Sequence, residues 1–304
     1  MIYTCTLNPS IDYVMHIERF EEGGLNRAAQ TFYYPGGKGI NVSRVLRRLD
    51  TETTALGFIG GFTGDFIKRH LGDEAISHNF IETGQTTRIN VKLKAGSESE
   101  INGPGPAITA EQQHALLNEI ARLTAEDTLV LAGSLPSSLP GDFYEQIARL
   151  CYERDVALVA DTSGPALHQM AKQPVLLLKP NHHELGELFD TSITNKEKAA
   201  YYAKQLLADG PQNIIVSMGA EGAVFVNAEH QWYANTPEGK LINSVGAGDS
   251  VVSGFLSAYT KNQGLEQAFK YGIAAGSATA FSDDLCTRQD VESIVTDIYV
   301  SPIS

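Results

Sequence analysis

The residues best equipped for chemistry are Asn243-Ser-Val-Gly-Ala-Gly-Asp249-Ser250, followed by Val251, Val252, Phe255, Leu256 and Tyr259 at helical spacing. Two glycines ahead of a helix let backbone N–H groups approach an anion closely, and the helix start adds a partial positive charge. A carboxylate in the first turn, Asp249, would lie beside that cradle, where it could take the proton of an attacking hydroxyl. The same residues would also serve as a plain helix start, with Asp249 complementing the dipole.

A second cluster, Pro35-Gly-Gly-Lys-Gly-Ile-Asn41, leads into a helix marked by Val42, Val45, Leu46 and Leu49. Glycines around one lysine leave backbone open on both sides of an ammonium, which suits a polar, anionic ligand, although a simple loop-to-helix junction would use the same residues. It is not a P-loop, because Phe32 and Gly39 occupy the places where that pattern needs Gly and Ser or Thr. No GxGxxG, GxSxG or HExxH is present, so a dehydrogenase of the usual dinucleotide-binding kind has no support. Adjacent His182 and His183 would point to different faces of a helix, which favours solvated side chains over metal ligands. Arg88, Lys92 and Lys94 fall on one strand face at period two, which suits a phosphate or a solvated strand edge.

These groups need a scaffold. From about Glu111 onward, helix-period stretches alternate with short apolar runs at 128–132, 156–160, 175–179 and 213–217. Runs that are apolar on both faces between amphipathic helices predict a mainly parallel sheet covered on each side, an α/β fold. Each run ends in a polar or turn-forming cluster, namely Gly133-Ser-Leu-Pro136, Asp161-Thr-Ser-Gly164, Lys179-Pro-Asn-His182 and Ser217-Met-Gly219. Open parallel sheets bind ligands beyond the carboxyl ends of their strands, so one sheet edge should gather all four. Two segments break the rhythm, 10–34 and 86–104. In the second, Arg88-Ile-Asn-Val-Lys-Leu-Lys94 alternates polar with apolar, which predicts a small second sheet with one wet face, acting as a lid inserted in a single domain over 1–304. Antiparallel strands after Gly222 and three closing helices complete the expectation.

With 304 residues and 42% hydrophobic composition, a sizeable core is available. A formal net charge of -13 argues against a nucleic-acid partner, which requires clustered cations. No stretch approaches the roughly 20 apolar residues of a membrane span and the start lacks a signal-peptide pattern, so a cytoplasmic protein without a membrane partner is expected. Cys5, Cys151 and Cys286 are widely spaced with no CxxC pair, the pattern of reduced structural thiols.

Taken together, the motifs resemble the ribokinase-like (PfkB-type) carbohydrate kinases over essentially the whole chain. Thr6-Leu-Asn-Pro-Ser-Ile-Asp12, Gly36-Gly-Lys-Gly-Ile-Asn41, Gly133-Ser-Leu-Pro136, Lys179-Pro-Asn-His-His-Glu184, Ser217-Met-Gly-Ala-Glu-Gly222 and Val245-Gly-Ala-Gly-Asp249 occur in family order. The resemblance implies a three-layer α/β/α sandwich with a small β-sheet lid, and a kinase that uses ATP with Mg2+. It makes Asp249 the base and the backbone of Gly246, Ala247 and Gly248 an anion hole. It places Asp12, Gly37, Lys38 and Asn41 around the sugar. Lys179, Ser217, Gly219, Gly222, Val245 and Gly248 fall to the nucleotide side, and Asn181 and Glu184 support Mg2+ largely through water. Potassium is used in parts of the wider family, but Asn243 stands where an Asp is often found, which puts a cation role there in doubt.

Arg88-Ile-Asn-Val-Lys-Leu93, Ser244-Val245 and Ser250 resemble the branch that phosphorylates fructose 1-phosphate to fructose 1,6-bisphosphate, with Arg27, Arg88 and Ser134 holding the phosphate already on the sugar. Kinases of tagatose 6-phosphate share most of the motifs and form the alternative. A non-catalytic phosphosugar or nucleotide sensor is a third reading, against which the intact Gly246-Ala-Gly-Asp249 argues. The apolar lid face that includes Ile89 and Val91 could pair in a homodimer or pack inward.

Overall fold

The computed structural model describes residues 1–303. Its strands are β1 (Ile2–Thr6), β2 (Ser10–His16), β3 (Gln30–Gly36), β4 (Thr53–Ile59), β5 (Ser77–Glu82), β6 (Arg88–Ala95), β7 (Ser97–Asn102), β8 (Thr128–Ala132), β9 (Ala157–Asp161), β10 (Leu177–Leu178), β11 (Asn213–Ser217), β12 (Ala223–Asn227), β13 (Gln231–Ala234) and β14 (Val300–Pro302). The helices are α1 (Lys38–Arg48), α2 (Gly61–Asp73), α3 (Ala110–Ile120), α4 (Phe143–Glu153), α5 (Gly164–Met170), α6 (His182–Leu188), α7 (Lys196–Leu207), α8 (Ala247–Tyr259), α9 (Leu265–Ala280) and α10 (Arg288–Ile294).

Ten strands form the main sheet in the order β14-β13-β12-β11-β10-β9-β8-β1-β4-β5. From β5 to β11 all pairs are parallel, and the pairs β11-β12, β12-β13 and β13-β14 are antiparallel. The central strands are apolar on both faces because each face meets helices. Leu129 and Leu131 of β8, Leu158 of β9 and Ile214 and Val216 of β11 enter a core with α3 to α7. Their neighbours Val130, Val159 and Ile215 enter the opposite core with α1, α8, α9 and α10. Period-two side chains thus feed two separate cores, and the result is the expected three-layer α/β/α sandwich. A smaller apolar cluster, including Ile40, Ile59, Ile67 and Leu71, seats α2.

The runs at 128–132 and 213–217 are strands as expected, and the run at 156–160 is shifted by one residue so that the strand ends on Asp161. The run at 175–179 contracts to Leu177–Leu178, because Pro174 and Pro180 bracket it and neither supplies an N–H to a ladder. The closing strand β14 was not anticipated; its three residues carry little pattern, and only pairing with β13 defines it. None of the described helices is long and apolar enough to cross a membrane.

The small sheet has the order β3-β2-β6-β7, with β2 and β6 parallel and in register Ser10 with Arg88 and Asp12 with Asn90. Of the two orientations left open for its apolar face, the exposed one is found. The polar side, with Asp12, Asn90 and Lys92, is turned toward the main body, while Tyr33, Ile89 and Ile101 on the other side are exposed. Strand β6 lies inside the sheet rather than at its edge, so Arg88, Lys92 and Lys94 do not form a solvated edge row.

Candidate active site

The chain enters α8 through a turn that only glycine makes without strain. Gly246 has φ 80°, in the left-handed region, and a Cβ there would collide with the Leu285 side chain. The turn sets Asp249 in the first turn of α8 with only 5% of its surface exposed. Asn41 Nδ2, from α1, donates to Asp249 Oδ2 at 2.8 Å, the one hydrogen bond the Asp249 carboxylate accepts among the described residues. Of the three anion-hole groups expected, Ala247 N–H already donates to Ser244 O at 3.3 Å, while Gly246 and Gly248 N–H donate to no described partner.

Burial pushes the Asp249 carboxyl up, and the nearby negative charge of Asp161 adds to it; Lys38, the Asn41 hydrogen bond and Lys179 oppose, leaving it at about 6. That is a basicity suited to a proton acceptor near neutral pH. Asp161 sits below at the end of β9. Lys38 Nζ donates to its Oδ1 at 3.0 Å, and Lys179 Nζ lies 3.3 Å from the same oxygen. Burial would raise Asp161, but the two ammonium groups outweigh it and hold it below the usual carboxylate range. Burial would likewise lower Lys38, and Asp161 and Asp249 together drive it above the ordinary lysine range.

On the small-sheet side, Asp12 Oδ1 accepts from Ser10 Oγ at 2.9 Å and Asn90 Nδ2 at 3.1 Å, and Lys92 Nζ lies 3.5 Å from Oδ2. A Cβ on Gly36 would stand 2.5 Å from Asp12 Oδ1, so the glycine preceding the Gly37-Lys38 step permits the close approach of β3 to this carboxylate. Arg88 donates through Nε and Nη2 to Asn8 O, and Asn8 Nδ2 reaches Ser134 Oγ at 3.4 Å. These residues line one cavity of about 530 Å³ together with Gly37, Lys38, Asn41, Lys179, Asn181, Glu184, Val245, Gly246, Gly248 and Asp249. It is a polar space under the small sheet, large enough for a phosphosugar and the end of a triphosphate.

A second cavity of about 630 Å³ meets the first at Ser217, Ser244 and Gly248. Gly219, Gly222 and Ala247 line it with a mainly apolar wall that includes Leu241, Val251, Ile273 and Phe281. An apolar slot that ends at a glycine-rich helix start fits a nucleotide whose base lies in the slot and whose phosphates reach the turn.

For magnesium, the donors present fit indirect support. Asn181 and Glu184 form a capping box at the start of α6: Asn181 Oδ1 accepts from the N–H groups of His183 and Glu184, and Glu184 Oε2 accepts from Asn181 N–H at 2.8 Å. One Glu184 oxygen remains for the cavity, and among the described residues no three acidic, His or Cys side chains cluster as a metal cage. Magnesium commonly keeps waters and takes one or two carboxylates plus substrate phosphates, which this arrangement allows. For potassium, position 243 offers a neutral amide in place of a carboxylate: Asn243 Oδ1 accepts from Val245 N–H at 3.1 Å and Nδ2 donates to Asp283 O at 3.3 Å, so it brings no negative charge toward a cation.

One expectation needs correction and another is not met within this chain. Arg27 is exposed in the loop between β2 and β3 and lines neither of these two cavities. His182 and His183 do not diverge: their rings lie 3.9 Å apart, since His182 turns toward Ser217 O, although His183 is exposed as expected. One participant escaped the sequence reading altogether, Asp161, noticed only as part of a turn. The available signal was an acidic residue closing a wholly apolar strand run, a costly placement unless cations meet it.

Residues 6–289 match the model of the pfkB family of carbohydrate kinases. The chain is 51% identical over 301 residues to a 1-phosphofructokinase of Bacillus subtilis, covering 99% of each, and 32% identical over 302 residues to a D-tagatose-1-phosphate kinase of Bacillus licheniformis, again covering 99% of each. The crystal structure of phosphofructokinase-2 from Escherichia coli in complex with substrates and products superposes with a TM-score of 0.92 at 29% identity, over 97% of this chain and 98% of that one. The chain belongs to the pfkB family of carbohydrate kinases.

Proposed function

We propose that the protein transfers the terminal phosphate of ATP to the free primary hydroxyl of fructose 1-phosphate, giving fructose 1,6-bisphosphate and ADP. The observation that carries this reading is Asp249: a buried carboxylate of raised proton affinity, held by a neutral amide where a polar cavity meets an apolar slot. The acceptor hydroxyl gives its proton to Asp249 as its oxygen bonds to the terminal phosphorus, and the bond from that phosphorus to the bridging oxygen of ADP breaks in line. Gly246 and Gly248 N–H groups face charge developing on the transferred group, and Lys38 and Lys179 lie within the same pocket. When bound, magnesium neutralises phosphate oxygens; Glu184, and Asn181 through water, are the residues that would hold it.

The phosphate already on the sugar is assigned to Arg88 and Ser134, near Asn8 and on the side of the cavity formed by β6 and the loop after β8. Fructose 1-phosphate is favoured over other acceptors by the identity with the Bacillus subtilis relative. Tagatose phosphates are the second reading, favoured by the Bacillus licheniformis relative, whose name gives tagatose 1-phosphate. The small sheet acts as a lid in this scheme, excluding water so that ATP is not wasted on hydrolysis. Its exposed outer face, with Tyr33, Ile89 and Ile101, suits pairing with a second copy, which the molecular mass in solution tests.

The deciding assay follows ADP release with magnesium ATP and fructose 1-phosphate, tagatose 1-phosphate, tagatose 6-phosphate, fructose 6-phosphate or fructose. The expected result is the highest kcat/KM for fructose 1-phosphate and low ATPase activity without sugar. A higher value for a tagatose phosphate would overturn the substrate and keep the chemistry; no turnover with any of them would favour a sensor.

A further inference from the structure

We propose that Asp161 is a positioning residue for the transfer: it gathers Lys38 and Lys179 onto one carboxylate oxygen and so keeps both ammonium groups from closing on Asp249. The proposal rests on Asp249 being the base. Asp161 is 1% exposed at the carboxyl end of β9, and no ligand is needed to explain its place. Its Oδ1 takes Lys38 Nζ at 3.0 Å and Lys179 Nζ at 3.3 Å, while Oδ2, equally buried, has no partner among the described residues. A buried carboxylate with an idle oxygen is expensive unless its charge serves something.

What the charge serves follows from where the cations stand. Lys38 opens α1, the helix whose Asn41, three residues on, bonds Asp249. The Lys179 ammonium lies 3.3 Å from the point a Cβ on Gly248 would occupy, directly against the residue before Asp249. Both act electrostatically on the base, and each is ion-paired with Asp161 rather than with Asp249. The groups whose charge Asp249 feels are Asp161 from β9, Lys38 from α1 and Lys179 after β10, with Glu184 of α6 acting on Lys38. Two carboxylates and two ammonium groups balance. With Asp161 neutralised, two cations would face Asp249 alone, and one would pair with the oxygen meant for the acceptor hydroxyl. An adjacent cation typically lowers a carboxylate by about 1 to 3 pKa units, which would leave Asp249 a much weaker base.

The test measures kcat/KM for fructose 1-phosphate against pH, at saturating magnesium ATP, in wild type, Asp161→Asn, Lys38→Met and the double variant. Titration of the substrate's own phosphate is common to all four. Wild type should lose activity as pH falls through about 6. In Asp161→Asn the acidic limb should move down by about one unit or more, with the rate at pH 8 reduced at least about tenfold. In Lys38→Met the limb should move up, and in the double variant, where charge balance returns, it should move back toward wild type. A slow Asp161→Asn enzyme with an unmoved limb would overturn the proposal in favour of simple packing, as would wild-type activity. Should Asp161→Asn fail to fold, Lys38→Met and the double variant still decide: an unmoved limb in Lys38→Met, or a limb in the double variant displaced as far as in Lys38→Met, overturns it. If instead Asp249→Asn retains full turnover, the base assignment fails first, which is a different result from an unmoved limb with Asp249 essential.

Discussion

Helix α1 carries a charge cluster at each end, and the two treat carboxylates in opposite ways. At its start, Lys38 joins Asp161, Lys179 and Asp249, and Asp249 is pushed up to about 6. At its end, Arg44 Nη2 meets Glu74 Oε1 at 2.9 Å and Asp284 Oδ2 at 3.1 Å, while Arg48 Nη2 meets the same two oxygens at 3.2 and 2.8 Å. There burial would raise Glu74, but His70, Arg44 and Arg48 outweigh it and hold it at about 2. Each cluster has buried members, Asp161 and Asp249 in the first and Arg44 in the second, beside partly exposed ones, Lys38 and Asp284. The difference lies in the partner given to each carboxylate: guanidinium forks in the second, a neutral amide for Asp249 in the first. A paired carboxylate is spent on structure, whereas a buried one denied a cation retains basicity for chemistry. The two are also mechanically joined, since Arg48 donates to Leu285 O and the Leu285 side chain backs Gly246.

The two clusters should differ most in activity. Asp249→Asn should reduce kcat by about 10² to 10⁴ while ATP binding changes little, because it removes the proton acceptor and leaves the turn intact. Single-turnover measurements beside nucleotide titration check this, and a kcat within a few-fold of wild type would remove Asp249 from the mechanism. At the other cluster the loss should appear in folding. Arg44 is 3% exposed, so Arg44→Met strands Glu74 and part of Asp284 and should cost up to about 3 to 5 kcal/mol of unfolding free energy, less to the extent that Arg48 compensates. Urea unfolding measures it. Activity per folded molecule should fall far less than in Asp249→Asn; the reverse pattern would mean that the clamp acts directly on the catalytic turn.

The unequal legibility of the two clusters has a physical cause. The glycines and Asp249 were readable because special backbone and first-turn positions leave local marks, and the strands that carry Gly133, Lys179 and Ser217 were readable because both-face burial writes continuous apolar runs. The Arg44–Glu74–Asp284 clamp left no mark: its members are 30 and 240 residues apart, and charged residues at those positions look like ordinary surface. Asp161 was hidden for the same reason, since Lys38 lies 123 residues away and nothing local pairs them. Arg27 differs in the opposite sense, standing outside both cavities of this chain. Its type suited a phosphate, but the path of a long strand connection is not encoded in residue types. The lid's orientation was left open because alternation marks two unlike faces without saying which is covered.

The smallest expected effect lies in the pH dependence of stability. Asp249 has a folded-state pKa of about 6 against an ordinary value of 3.8, so its protonated form is the one the fold prefers. Its favourable contribution is complete below about pH 3.8 and is lost as pH rises through about 6, which means that ionised Asp249 burdens the fold at pH 8. Asp249→Asn removes that burden, and its carboxamide oxygen can still accept from Asn41. The variant should therefore be more stable than wild type at pH 8, on the order of 1 to 3 kcal/mol, with the gain shrinking toward pH 4. Glu74→Gln should do the opposite. Its folded pKa of about 2 gives stability that is present above its ordinary value of 4.5 and lost as pH falls toward 2, so this variant should be destabilised at pH 8 and converge on wild type in acid. Thermal melts of the two variants across pH 4 to 8 test both signs at once. Equal destabilisation by both would mean that Asp249 is held as tightly as Glu74, and that the contrast between the two ends of α1 does not exist.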